Sequence, residues 1–413
     1  MDLCIVGGGY VGLTTAVCFA ELGNRVRIID VDEEKVEKIK KGIAPIYEEG
    51  LQEMMERNMQ RITAQSHFDF DESIVFICVG TPSMPDGSMD LRYVKEAAES
   101  IGKNLREGGL IVMKSTVFPG TTENIIKPII KKHVSNFSIA MNPEFLREGK
   151  AIHDFMHPDR IVIGVEDERG EKTLRKLYEP IEAPLLVTTP SEAEMIKYAS
   201  NAFLATKISF ANEIGNMCKM LGMDVYKVME GVAMDHRISP HFLNAGIGFG
   251  GSCFPKDLRA LYAGGKKMGY EMEMIRAVLD VNERQPLRAV EILEKHMEVK
   301  GKTIAVLGLA FKAETDDVRE SRSIPIIEAL RKKGAMVRAY DPMAMDNMKK
   351  IFPDIHYCGS VEEALKEADA CIIATDWKEF ENIDFSGMRN KLVIEGRRVL
   401  KNKDGITYEG VCW

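Results

Sequence analysis

Two stretches of the sequence carry residue types that could do chemistry. Gly7, Gly9 and Gly12 stand in G-x-G-x-x-G spacing around Tyr10 and Val11, between an apolar run at 3–6 and a helix-like run at 13–22. In that setting the first glycine permits a tight turn, the second lets the backbone approach a pyrophosphate, and the third allows close helix–strand packing. The helix N-terminus adds N–H donors and a positive dipole. Asp30 ends the next strand-like run, 25–29, where a carboxylate can accept from both ribose hydroxyls and repel a 2′-phosphate. This favours NAD over NADP, with FAD as the rival dinucleotide. The second stretch is Gly248-Phe249-Gly250-Gly251-Ser252-Cys253-Phe254-Pro255-Lys256-Asp257. Its glycines let backbone pass close to a ligand, and a helix starting near Pro255 would bring Lys256 and Asp257 to one side. A nearby cation favours thiolate, the nucleophilic form of cysteine. Spacing alone leaves a reactive Cys253 and a structural thiol equally open.

The elements that must position these residues alternate. Strand-like runs at 3–6, 25–29, 74–79, 110–114, 138–141 and 160–164 are mostly separated by helical stretches, the signature of parallel β-α-β units. From 192 to 221 the apolar residues keep a helical period, and further helical runs cover 258–268 and 273–285. About one hundred mostly helical residues exceed any ordinary connection, so they form a domain or a dimer interface. The opening pattern then returns. Gly334, Val337, Arg338 and Asp341 repeat the spacing of Gly23, Val26, Arg27 and Asp30, and 370–375 echoes 74–79. The fold class is α/β, with two Rossmann-type parallel-sheet domains joined by a central helical domain that contains a long helix. Boundaries fall at 1–190, 191–298 and 299–413. Only the first sheet has the full glycine fingerprint, because the turn after Gly308 has lost two glycines, so the halves should bind different ligands.

Composition narrows the function classes. The chain has 413 residues, 45% hydrophobic and 29% charged, with a formal charge of −8, which argues against nucleic-acid binding. No apolar stretch reaches the ~18 residues needed to cross a bilayer. The eight cysteines form no C-x-x-C pair, and no histidine lies at finger-like spacing, so no metal is expected. Cys4, Cys78 and Cys371 sit in apolar runs that read as buried strands, and the N-terminus lacks a signal-peptide pattern. A reducing cytoplasm is expected.

Further motifs occur in order along the chain. They are Lys114-Ser-Thr116-Val, Asn142-Pro-Glu144-Phe145-Leu146-Arg147-Glu148-Gly, Lys197-Tyr-Ala-Ser-Asn201-Ala-Phe, Phe311-Lys312 and Arg319-Glu-Ser. With the glycine turn and the cysteine loop, they resemble the UDP-glucose/GDP-mannose dehydrogenase family of nucleotide-sugar 6-dehydrogenases across essentially the whole chain. The 157–164 segment and the cysteine loop are more similar to the UDP-glucose branch than to GDP-mannose or UDP-N-acetylhexosamine enzymes. The resemblance implies an N-terminal NAD domain, a helical dimerisation domain, a C-terminal UDP domain, and a homodimer. It implies oxidation of the sugar C6 alcohol to a carboxylate with two NAD and one water. Cys253 would trap the aldehyde as a thiohemiacetal that is oxidised to a thioester. A non-catalytic nucleotide-sugar sensor is the distant alternative, against which the intact Cys253, Lys197, Asn201 and Asp257 count.

By the same resemblance Lys197 and Asn201, four apart on the long helix, stabilise oxyanion at C6. Asp257 helps deprotonate a water, and Glu144 assists thioester hydrolysis with Thr116; which carboxylate is the hydrolytic base stays open. Lys35, Thr81, Thr116, Glu148, Lys256 and Arg319 match cofactor contacts. Phe145, Leu146, Arg147, Phe242, Leu243, Asn244, Ala245, Gly246, Gly250 and Lys312 match substrate contacts, as do Glu144, Glu148, Lys197 and Asn201. Arg237 matches an arginine given across the dimer, and Arg397 or its neighbour Arg398 matches a C-terminal substrate arginine.

Overall fold

The computed structural model describes residues 1–413. It divides into two compact units, Met1–Ser200 and Asn201–Trp413.

The first unit is built on eight strands: β1 Asp2–Val6, β2 Arg25–Ile29, β3 Ile62–Gln65, β4 Ile74–Ile77, β5 Gly109–Met113, β6 Phe137–Met141, β7 Ile161–Val165 and β8 Leu185–Thr188. Their order is β3-β2-β1-β4-β5-β6-β7-β8. Every position of β4 and β5 is buried, which is why both read as unbroken apolar runs. The chain reverses its winding between β1 and β4. Ligands of open α/β sheets bind beyond the carboxyl ends of the strands at such a point, where Gly7 follows β1. One pairing departs from the parallel expectation, and β7 and β8 both run against the other six strands. β7 runs antiparallel to β6, pairing Ala140 with Val165 and Met141 with Gly164. The chain between them carries only the six-residue helix Ala151–Met156, so it turns back instead of crossing over.

The second unit holds six strands: β9 Thr303–Leu307, β10 Met336–Tyr340, β11 His356–Tyr357, β12 Ala370–Ile373, β13 Leu392–Glu395 and β14 Thr407–Gly410. They pair in the order β11-β10-β9-β12-β13-β14, all parallel. The helices Val225–Ala233 and Leu287–His296 share one hydrophobic core with this sheet through Val225, Met229, Val290 and Leu293. The expected long helix is Pro190–Met220, thirty-one residues. It lacks an internal proline and stops before Gly222, whose φ of +68° an L-residue rarely adopts.

Candidate active site

In the first unit the glycine turn has the geometry its spacing demands. Gly7 takes φ +105°, and a Cβ there would lie 2.6 Å from the Cys78 carbonyl oxygen. A Cβ on Gly12 would lie 1.8 Å from the Gly7 oxygen, so only glycine lets the helix Tyr10–Glu21 start this close to β1. Nothing lies within 4 Å of a Cβ built on Gly9, and no side chain caps this helix. Its first N–H groups, with Tyr10 and Val11 opening the helix, form an open cradle suited to a diphosphate. Asp30 follows β2, accepting from Gly8 N–H at 2.6 Å and Asp32 N–H at 2.9 Å. Lys35 pairs with Asp32 at 3.5 Å. The Thr81 hydroxyl donates to the Thr116 carbonyl at 3.0 Å, which joins the loops after β4 and β5. The turn, the acid and these loops fit a dinucleotide.

The same unit holds a buried ion pair. Lys197 Nζ lies 2.9 Å from Glu144 Oε1, with both side chains under 10% exposed. Leu146 N–H donates to the other Glu144 oxygen at 2.6 Å, and the Phe145 ring stands 5.4 Å from Lys197 Nζ. Burial alone would raise the Glu144 carboxyl. The charge and hydrogen bond of Lys197, the Leu146 N–H and the Lys114 charge outweigh it and hold Glu144 below the usual carboxylate range. Arg147 is turned elsewhere, bidentate to Asp154 at 2.8 and 2.6 Å. Glu148 is half-buried and close enough to Tyr10 to act on its hydroxyl.

In the second unit Cys253 is the only exposed cysteine of the eight, all of them free. It is the N-cap of the helix Phe254–Lys267, with Pro255 in the first turn, so the positive end of the dipole favours an anion there. The Ser252 hydroxyl lies 3.6 Å from its sulfur. Asp257, one turn on, is 2% exposed and accepts from Asn201 Nδ2 at 2.7 Å and Lys256 Nζ at 2.6 Å. Lys256, Asp257 and Asn201 therefore come together one turn after Cys253; the spacing had put Lys256 and Asp257 on one side, but not Asn201 with them. Asn282 clamps the loop from behind, accepting from Phe249 N–H at 2.7 Å and donating to its carbonyl at 3.0 Å.

Around this loop Gly250 and Gly251 pass against the 311–320 segment. Gly251 N–H donates to the Arg319 carbonyl at 2.9 Å, and a Cβ on Gly250 would lie 2.2 Å from the Glu320 oxygen. Gly246 is held by Asn212 and Gln285, each at 2.7 Å, and the Ala245 carbonyl accepts from Tyr226 at 2.8 Å. Leu243 is buried, whereas Asn244 and Phe242 are exposed, Phe242 at φ +63°. Arg397 donates to the Gly248 carbonyl, while Arg398 pairs with Asp224 at 3.0 Å and covers Tyr226. Of the two arginines, only Arg397 is thus held at the cysteine loop. Lys312 stands 5.7 Å from the Phe311 ring. Arg237 and Arg319 are exposed and bidentate to Asp235 and Asp317, two residues back in sequence.

Several supporting residues were visible in the sequence motifs but were given no role there. Lys114 is buried, donating to Asn142 Oδ1 at 2.9 Å; Tyr178 donates to the same oxygen at 2.5 Å, and Asn142 Nδ2 to the Val162 carbonyl at 2.9 Å. Burial pulls the Lys114 ammonium down to about 8 against the opposing influence of Cys78 and Glu144. Asp341, the counterpart of Asp30, is fully buried and accepts from Leu309, Ala310, Met343 and Ala344 N–H and from Trp377 Nε1. With so many donors satisfied inside the protein, it is not placed to take a ribose. At the edge of the second sheet His356, Cys358 and Glu363 gather their ligand atoms within 4.8 Å, a grouping their sequence spacing had not suggested. None of the candidate site residues belongs to it.

A dinucleotide cradle on one sheet, and a second Rossmann-type sheet whose unit carries an exposed cysteine, define a class of two-sheet nucleotide-dependent dehydrogenases. The chain belongs to the UDP-glucose/GDP-mannose dehydrogenase family: residues 1–182 match its NAD binding domain, 191–284 its central domain and 305–402 its UDP binding domain. Over the full length of both chains it is 47% identical to a UDP-glucose 6-dehydrogenase of Haloferax volcanii. A UDP-glucose dehydrogenase structure from Pyrobaculum islandicum superposes with a TM-score of 0.95 at 46% identity, covering 100% of this chain and 98% of that one. A UDP-D-ManNAc dehydrogenase structure from Pyrococcus horikoshii has a TM-score of 0.90 at 28% identity, covering 100% and 99%.

Proposed function

We propose that the protein oxidises UDP-glucose at C6 to UDP-glucuronate, using two NAD and one water. The observation that carries the mechanism is Cys253, the one exposed thiol, at the N-cap of a helix whose next turn presents the clamped Asp257. The higher identity to UDP-glucose enzymes than to the UDP-D-ManNAc enzyme, 46–47% against 28%, supports UDP-glucose over the acetylated sugar.

When bound, NAD supplies the hydride acceptor for each oxidation. The Gly7–Gly12 turn and the N-terminus of the following helix hold its diphosphate, Asp30 its ribose, with Lys35, Thr81, Glu148, Lys256 and Arg319 as further contacts. In the first step C6–H leaves as hydride and the hydroxyl proton is released, giving the aldehyde. The Cys253 sulfur adds to the aldehyde carbon, and the carbonyl oxygen takes a proton to give a thiohemiacetal. Loss of the second hydride and of the hydroxyl proton leaves a thioester. Water adds to the thioester carbonyl, the C–S bond breaks, the thiol is restored and the acid is released. Lys197 and Asn201, one helical turn apart, donate to the developing C6 oxyanion. Glu144, ionised despite its burial, takes a proton from water with the assistance of Thr116, and Asp257 holds Asn201 and Lys256 in place. Phe145, Leu146, Arg147, the 242–246 segment, Gly250, Lys312 and Arg397 bind the UDP-sugar.

We assign the parts as 1–190 for NAD, 191–298 for dimerisation and 299–413 for UDP, and the assembly as a homodimer to which Arg237 contributes. Phe203, Phe210 and Met217 repeat every seven residues on the long helix, 67%, 49% and 53% exposed, an apolar stripe suited to a second copy. A cytoplasmic location agrees with eight free thiols. The test is NADH absorbance with a panel of nucleotide sugars. UDP-glucose should give two NADH per sugar, and failure to turn over UDP-glucose would overturn the reading.

A further inference from the structure

Glu48 lies between the helices Glu33–Lys40 and Leu51–Arg57 and is 5% exposed. Its Oε1 accepts from Ala151 N–H at 2.6 Å, and its Oε2 accepts from Gly149 N–H at 2.8 Å and from the Tyr10 hydroxyl. Gly149 N–H also reaches the Tyr10 oxygen at 3.2 Å. One buried carboxylate thus gathers two backbone donors and a phenol from parts of the chain far apart in sequence. Tyr10 is the first residue of the helix that follows the dinucleotide turn. Gly149 directly follows Glu148, at the end of the segment that begins with Glu144. A buried carboxylate is tolerated when its oxygens accept several charge-assisted hydrogen bonds, and these three supply them.

We propose that Glu48 is a positioning residue that locks the 144–151 segment to the dinucleotide turn, so that cofactor binding at the turn orders the segment carrying Glu144 and Glu148. This rests on the dehydrogenase reading above. An inert pin could have used any neighbouring element. This carboxylate instead joins the cradle for one reactant to the segment that handles the other. Because Tyr10 belongs to both the turn and the clasp, any shift of the turn on binding changes the bonds that fix Gly149. Coupling of this kind is reciprocal: whatever NADH does for the segment, a ligand on the segment does for NADH.

The test uses the full chain with NADH and reads binding rather than turnover, so it stands apart from the assignment of the sugar. Amide hydrogen exchange at Gly149 and Ala151 should slow when NADH binds to the wild type. In Glu48→Gln, whose amide nitrogen cannot accept, both amides should exchange faster, and NADH should no longer slow them. NADH affinity, followed by fluorescence, should fall about tenfold, the effect of losing roughly one charge-assisted hydrogen bond. Tyr10→Phe keeps the two backbone bonds to Glu48. Those amides should then stay protected without ligand but lose their response to NADH. The double variant should bind NADH no worse than Glu48→Gln, because both substitutions break one clasp. Unchanged NADH affinity and an unchanged amide response in Glu48→Gln, with only a lower melting temperature, would overturn the proposal. A wild-type protein that shows the exchange response yet fails to oxidise UDP-glucose would refute the assigned reaction while leaving the coupling standing.

Discussion

At Lys197 and Glu144 the balance of forces is set by burial. Removing one partner of a buried ion pair leaves the other charge unpaired and costs about 3–5 kcal/mol, whereas replacing both with apolar residues of similar size is close to neutral. Denaturation of Lys197→Met should therefore show a loss of that order, and adding Glu144→Leu should restore most of it. Additive losses would mean that the pair contributes nothing as a pair. In the proposed reading Asp30 acts by charge on a ligand instead: it should keep kcat/KM for NAD well above that for NADP, and Asp30→Ala should narrow the gap. Equal efficiency with both cofactors in the wild type would remove Asp30 from the ribose site. Much of this was legible because the chemistry is local. Glycine spacing announces the turn, and Cys253, Lys256 and Asp257 lie within five residues. Arg147, Arg237 and Arg319 were read as ligand contacts, yet each closes on an aspartate. For Arg237 and Arg319 the signal was present, since an aspartate two residues back offers an immediate bidentate partner. All three arginines are exposed, but only the Arg237–Asp235 pair is open on both sides and so weak enough to exchange partners readily. Asn282 was not legible, because it reaches Phe249 across thirty-three residues.

At the scale of elements, the long helix is fixed to the chain after β5 by Ser191, which donates to Glu123, and by the carboxylate of Glu194. Glu194 is fully buried and accepts from Gly120 N–H at 2.5 Å, Thr122 N–H at 2.9 Å and the Thr122 hydroxyl at 2.5 Å. Burial nevertheless dominates these bonds and raises its carboxyl to about 7 from an ordinary 4.5. A raised acid binds its proton more tightly in the folded state, so its contribution to stability is fully present below the unfolded value. It is lost as pH climbs through that window and absent above about 7. The stability advantage of wild type over Glu194→Gln should fall from pH 4.5 to 7 and then level off. A difference independent of pH would show that Glu194 does not titrate there. The period of the long helix and the apolar runs of the strands were readable because burial on one face or two imposes them. The reversed direction of β7 was not, since an apolar run looks the same in either direction. The repeat of Asp30 at Asp341 was visible, but not its cause: the second aspartate is consumed by backbone donors and Trp377.

For the whole molecule, two predictions separate assembly from chemistry. A charge in the stripe formed by Phe203, Phe210 and Met217 should prevent a second copy from docking. Phe210→Lys should give a monomeric mass by light scattering at micromolar concentration where wild type gives a dimer, and a monomeric wild type would end the dimer proposal. In the proposed mechanism the chemistry depends on one thiol serving both oxidations, since covalent capture would keep the aldehyde from escaping between them. The decisive measurement is the NADH formed per UDP-glucose by wild type and by Cys253→Ser, with mass spectrometry of the protein. Wild type should give two NADH per sugar. The serine variant should stop near one NADH with free aldehyde, or stall as a covalent ester that hydrolyses slowly. Two NADH per sugar from Cys253→Ser at close to the wild-type rate would contradict covalent catalysis and leave Cys253 as a structural thiol.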